Sequence, residues 1–147
     1  MNSPGIGLLL MNIPEKVKNI KILIVDDDPT IRELGKSILE KAGFTNAWEA
    51  EDGVSASSLL RGQHFDVVVC DWEMPNMDGL QLLKEVRKDG RMRGTAFLMA
   101  TVIADVENVK KAIQEGVTDY ITKPLEPDTF CKKVLTTYAR SHSRKAS

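Results

Sequence analysis

Five short apolar runs alternate with five helical patterns between Ile20 and Tyr138. The runs are Ile20–Val25 (IKILIV), Thr45–Ala50 (TNAWEA), Phe65–Cys70 (FDVVVC), Thr95–Ala100 (TAFLMA) and Val117–Thr122 (VTDYIT). The first, third and fourth are almost continuously apolar and β-branched or aromatic, as strands buried on both faces are. The second is shorter and more polar, which suits an edge strand. Between them, apolar residues recur at helical spacing. Ile31, Leu34, Ile38, Leu39 and Ala42 are expected on one face of a helix opened by Asp28-Pro29 and closed by Gly43. Val54–Gly62 reads as a weak amphipathic helix, and Gly79–Lys88 as a helix with Leu80, Leu83 and Val86 inward. Val106, Val109, Ala112 and Ile113 are expected on the inner face of the fourth helix, and Phe130, Val134 and Tyr138 on that of the fifth. Strict alternation of strand and helix implies right-handed crossovers and a parallel sheet covered on both faces, an α/β fold.

Residues 1–19 read as an N-terminal extension broken by Pro4, Gly5, Gly7 and Pro14, with Met11 an alternative start. Residues 20–140 form one domain, and 141–147 read as a polar, basic, flexible tail. The apolar stretch Ile6–Met11 is far shorter than the roughly 20 residues a membrane span needs. It lacks the flanks of a secretory signal, so residence in the cytoplasm is expected. The chain of 147 residues carries a formal net charge of -1, which gives no reason to expect nucleic acid or an anionic membrane as partner. Cys70 and Cys131, without metal-ligand spacing, read as small buried hydrophobes in a reducing compartment. His64 and His142 are assigned to solvent.

The chemistry concentrates where the strands end. The first run stops on Asp26 and Asp27, the third on Asp71, the fourth on Thr101 and the fifth on Lys123. In open parallel sheets these carboxyl edges face the ligand crevice. Two carboxylates about 4 Å apart repel by on the order of 4 kcal/mol at an intermediate dielectric, so three together need a cation, a shared proton or a lysine. Mg²⁺ takes one or two carboxylates and also binds phosphate oxygens. Asp71 is then a carboxylate nucleophile able to take a phosphoryl group. Mg²⁺ and Lys123 neutralise its oxygens, and the Thr101 hydroxyl bonds one of them. Taken alone, Asp71 also reads as a turn cap and Lys123 as a surface lysine.

The stretches ILIVDDDPTIRE, EAEDG, CDWEMPNMDGLQLLKEVR, MAT and DYITKP together resemble a bacterial response-regulator receiver domain of the CheY-like, chemotaxis type. The resemblance implies a flavodoxin/CheY-like three-layer fold with strand order 2-1-3-4-5. It implies Asp71 as phosphoacceptor, with Asp27 and Asp71 as direct Mg²⁺ ligands. Asp26 holds a metal-bound water or joins the same acid cluster, and the backbone carbonyl of Glu73 is a third protein ligand. Thr101 matches the hydroxyl switch, Lys123 the phosphoryl-binding lysine with a cis bond to Pro124, and Tyr120 the aromatic that swings inward. It further implies a sensor histidine kinase as donor and a downstream protein as target, such as a flagellar motor switch protein or a component of another phosphorelay. The output surface would be the fourth helix, fifth strand and fifth helix, with Lys110, Lys111, Tyr120 and Lys133. The protein would act as a monomer or a weak, phosphorylation-dependent dimer.

Three features depart from the family pattern: Val102 after the switch threonine, Glu73 two residues past the acceptor, and Ile103 at the rim. Val102 is expected to narrow access of water to the phosphoryl site. Trp72 is expected to be a partly exposed lid. A rival reading, an aspartate-based phosphohydrolase, lacks the Asp-x-Asp pair and a cap domain; self-phosphorylation and slow loss are the only reactions expected. A phosphorylation-independent interaction module would have no use for these site residues.

Overall fold

The computed structural model describes residues 13–146, so the Ile6–Met11 stretch lies outside the described residues. Five strands alternate with five helices: β1 (Ile22–Val25), α1 (Pro29–Ala42), β2 (Ala47–Ala50), α2 (Gly53–Gly62), β3 (Val67–Cys70), α3 (Gly79–Lys88), β4 (Ala96–Thr101), α4 (Val106–Gln114), β5 (Asp119–Thr122) and α5 (Pro127–Ala146). The strands form one parallel sheet in the order β2-β1-β3-β4-β5. β2 is an edge strand, as its polarity predicts, and the order is the one the family resemblance implies.

The sheet separates two cores because successive side chains on a strand point to opposite faces. Ile22, Ile24, Val67, Val69, Leu98 and Ile121 pack with Ile38 and Leu39 of α1 and Phe130 and Val134 of α5. Leu23, Val25, Val68, Cys70, Phe97 and Met99 pack with Leu60 of α2, Leu82 and Leu83 of α3, and Ala112 of α4. Each helix from α1 to α4 begins at an aspartate: the carboxylates of Asp28, Asp52, Asp78 and Asp105 accept backbone N–H groups of the first turn.

The structure departs from the sequence reading in several places. All five strands start one or two residues later than the apolar runs. Lys21 N–H, for example, bonds the Asp66 carboxylate (2.8 Å) instead of the ladder. On α1 the buried face carries Gly35, not Leu34, which is 43% exposed. A side chain at position 35 would crowd Ile24, so the glycine lets α1 lie close on the sheet. On α4 only Ala112 is buried; Val106 and Ile113 are 67% and 62% exposed. The apolar stripe of that helix is thus turned mostly to solvent.

At the N-terminal side, residues 13–19 of the expected extension pack on the body. Ile13 joins the first core, and Thr45 N–H bonds the Lys18 carbonyl (2.9 Å). At the other end, α5 runs on through Ser141 to Ala146. Ser141 is buried with its hydroxyl donating to the Gly94 carbonyl, and His142 stacks on Tyr138 (5.5 Å). Among the described residues, no helix is long and apolar enough to cross a membrane.

Candidate functional site

Strand register brings the polar strand ends together. Val25 pairs with Cys70 and Cys70 with Met99, so Asp26 and Asp71 leave their strands side by side. Thr101 pairs with Thr122, which places Lys123 one residue beyond it. Hydrogen bonds continue each ladder into the site: Asp71 N–H to Val25 O (3.0 Å), Asp26 N–H to Ala50 O (3.2 Å) and Lys123 N–H to Thr101 O (3.1 Å).

Lys123 is the centre of the cluster. Its Nζ donates to Asp26 Oδ2 at 2.6 Å and to Asp71 Oδ2 at 2.9 Å. The remaining oxygens are also held. Asp26 Oδ1 accepts Asp28 N–H (2.9 Å), and Asp71 Oδ1 accepts Trp72 N–H (2.7 Å). Asp26 and Asp71 are buried, whereas Asp27 is exposed at the mouth. One carboxylate oxygen from each of Asp26, Asp27 and Asp71 lies within 4.8 Å of the others. Burial pushes the Asp26 carboxyl above the usual carboxylate range, against the opposing pull of Lys123 and the Asp28 N–H. Burial alone would lower the Lys123 ammonium, but its bonds to Asp26 and Asp71 outweigh it and raise the group. The cluster therefore holds more acid than base in a site largely closed to water. Three clustered carboxylate oxygens, with one side open, are a donor set that fits a hard divalent cation.

Beside this cluster, the Thr101 side chain is fully buried, and its Oγ1 accepts Ile103 N–H at 3.3 Å. Tyr120 is partly buried, and its hydroxyl donates to the Ile103 carbonyl. Burial raises the Tyr120 phenol, with the charges of Asp105 and Asp71 adding to it. Ile103 is thus gripped on its N–H by Thr101 and on its carbonyl by Tyr120. The Lys123–Pro124 bond is cis. Glu73 is exposed in the loop after β3, and Val102 is 69% exposed in the loop after β4. Trp72 is not a partly exposed lid. It is 8% exposed and packs in the second core, with Met74, Met77 and Leu80 around that core. The apolar residues Met74, Met77 and Leu80 within the following loop and helix carry the only sequence signal for its burial.

Sequence reasoning did not single out Arg32. Its Nη1 donates to the Asp26 carbonyl (2.7 Å) and its Nε to Glu49 Oε1 (3.0 Å). It ties α1 and β2 to the end of β1. Its position four residues after the Asp28 cap, one helical turn along the face above the sheet edge, is the signal that could have found it.

The family model of the response regulator receiver domain matches residues 22–135. The chain belongs to that family. The Vibrio cholerae chemotaxis protein CheY-3 is 44% identical over 117 residues, covering 80% of this chain and 90% of its relative. The Pseudomonas aeruginosa chemotaxis protein CheY is 40% identical over 121 residues, covering 82% and 98%. Among solved structures, the chemotaxis response regulator CheY4 of Vibrio cholerae superposes with a TM-score of 0.76 at 31% identity, covering 81% of this chain and 98% of that one. The receiver is therefore a phosphoacceptor response regulator of the chemotaxis-like type, with the acidic cluster as its candidate metal site.

Proposed function

We propose that Asp71 takes the phosphoryl group, with Mg²⁺ held by Asp26, Asp27, Asp71 and the backbone carbonyl of Glu73. The observation that carries this is the Lys123 ammonium bridging Asp26 (2.6 Å) and Asp71 (2.9 Å) beside the exposed Asp27 carboxylate. When bound there, Mg²⁺ supplies positive charge to the phosphoryl oxygens. The Asp71 carboxylate attacks phosphorus, and an O–P bond forms as the P–N bond of a phosphohistidine on a sensor kinase breaks. The electron pair leaves with the imidazole nitrogen. Lys123 exchanges a carboxylate partner for a phosphoryl oxygen, keeping the added charge neutralised as it forms.

The switch follows from the grip on Ile103. A Thr101 hydroxyl turned to the phosphoryl group gives up the Ile103 N–H, and the loop that holds Tyr120 is released from one side. The two arrangements differ in the contacts made with the phosphoryl group, which is what shifts their populations. Output runs through α4, β5 and α5, with Lys110, Lys111, Tyr120 and Lys133, to a downstream protein such as a motor-switch or other signalling component. The exposed Val106 and Ile113 add apolar area to that surface. The protein works in the cytoplasm as a monomer or a weak, phosphorylation-dependent dimer, and not as a turnover enzyme.

Incubation with acetyl phosphate, with Mg²⁺ or with EDTA, tests this by intact mass. One phosphoryl group is expected with Mg²⁺ only, and none on Asp71→Asn. Equal labelling in EDTA, or unchanged labelling of Asp71→Asn, would overturn the assignment.

A further inference from the structure

The loop between β3 and α3, residues 72–78, carries the Glu73 carbonyl and is pinned at both ends by bare backbone. At its base Gly79 N–H donates to the Trp72 carbonyl (2.7 Å). A Cβ on Gly79 would lie 2.2 Å from the Asp71 carbonyl oxygen, so any side chain there displaces the acceptor's own backbone. At its tip Met77 rests on the first residue of α2. A Cβ on Gly53 would come within 2.4 Å of the Met77 carbonyl oxygen and 2.8 Å of Met77 Cβ. The neighbouring Asp52 has two tasks. Its Oδ1 accepts Ser55 N–H (2.8 Å) as the α2 cap, and its Oδ2 accepts from Asn76 Nδ2 (3.4 Å). Asn76 has a positive φ of 71°, the left-handed bend that turns the tip toward α2.

We infer that Gly53, supported by Asp52 and Asn76, is a positioning residue for the acceptor site: the start of α2 holds the β3–α3 loop in the shape that metal binding requires. The inference rests on the assignment of Asp71 and its metal site made above. The short loop is fixed at Gly79, so pushing Met77 outward moves the segment that runs back to Glu73. Partners that orient metal ligands are worth roughly tenfold to a hundredfold in metal affinity. The Gly53 requirement does not come from α2 itself, because Ala is the better helix former by about 1 kcal/mol.

The test compares wild type, Gly53→Ala and Asp52→Ser. Serine keeps the cap on α2 but is too short to reach Asn76. Three quantities are measured: Mg²⁺ affinity by calorimetry, the acetyl phosphate rate at saturating Mg²⁺, and metal-free amide exchange at Met77 and Gly79. Gly53→Ala is expected to weaken Mg²⁺ by about tenfold or more, the range seen when outer partners of metal ligands are lost. Asp52→Ser is expected to weaken it less. Both should speed exchange in the loop and leave the rate at saturating Mg²⁺ within about twofold. Unchanged Mg²⁺ affinity in both variants, or a loss confined to the rate at saturating Mg²⁺, overturns the inference. If Gly53→Ala does not fold, Asp52→Ser alone decides. A wild type that neither binds Mg²⁺ nor takes a phosphoryl group instead fails the assignment of Asp71 itself, and the inference falls with it.

Discussion

Replacing Lys123 by Met keeps the bulk of the side chain and removes the charge that lies 2.6 Å from Asp26 and 2.9 Å from Asp71. Those carboxylates are 3% and 8% exposed, so water does little to separate them. Breaking one side of a buried ion pair costs about 3–5 kcal/mol when nothing else relieves the stranded charge. Here each carboxylate keeps a backbone N–H donor, from Asp28 and Trp72. The expected loss is therefore at or below the low end, about 2–3 kcal/mol in EDTA at neutral pH. That would lower a urea midpoint by roughly 1–2 M.

Two conditions should restore the variant. A divalent ion supplies the missing charge, and binding at about a hundredfold over Kd returns about 2.7 kcal/mol. Acid does the same by another route. Burial already holds the Asp26 carboxyl above its ordinary value, and losing Lys123 raises it further. A folded-state value above the unfolded one means that the folded protein binds the proton more tightly. Stability relative to wild type then rises as pH falls through the folded value, and the gain is complete below the unfolded value near about 4. Urea unfolding in EDTA, in Mg²⁺ and at about pH 5 checks each part. Wild-type stability in EDTA at neutral pH, or a deficit blind to both Mg²⁺ and acid, would refute the reasoning.

Three further outcomes are expected. Mg²⁺ affinity should fall as pH is lowered, and begin to fall at a higher pH than for ordinary carboxylates, because Asp26 must lose its proton to join the site; calorimetry across that range would contradict this by showing a flat profile. Burial pushes the Cys131 thiol up to about 11 and Cys70 well above the usual thiol range, so a thiol reagent at mildly alkaline pH should label neither until the chain is unfolded. Val102→Ala should shorten the life of the aspartyl phosphate by opening the rim to water, and equal rates of phosphate loss would count against that role.

The alternation of apolar runs and helical patterns was sufficient to read the strand count and the parallel sheet, because buried parallel strands are apolar on both faces. It also placed Asp26, Asp71, Thr101 and Lys123 at one edge, since each stands immediately after or at the end of such a run. Strand order lay beyond periodicity and came from the family resemblance. What local pattern misjudged was decided by tertiary packing. Leu34 looks like a core residue, but Gly35 takes the inward position because α1 lies close on Ile24. Trp72 reads as a partly exposed lid, yet it is buried in the second core. Ser141, polar in sequence, is buried because its hydroxyl finds an acceptor in the distant Gly94 carbonyl. Arg32 was passed over because its partners, the Asp26 carbonyl and Glu49, are brought to it only by the fold.

The central claim is that acids from separate strands gather so that one of them carries a removable phosphoryl group. Its most direct test is to locate that group after treatment with acetyl phosphate and Mg²⁺. Borohydride reduction of the acyl phosphate followed by peptide sequencing marks the phosphorylated position. Reduction at Asp71 alone, prevented by EDTA, is the expected result; a mark on Asp26, Asp27 or any residue outside the cluster would contradict the account.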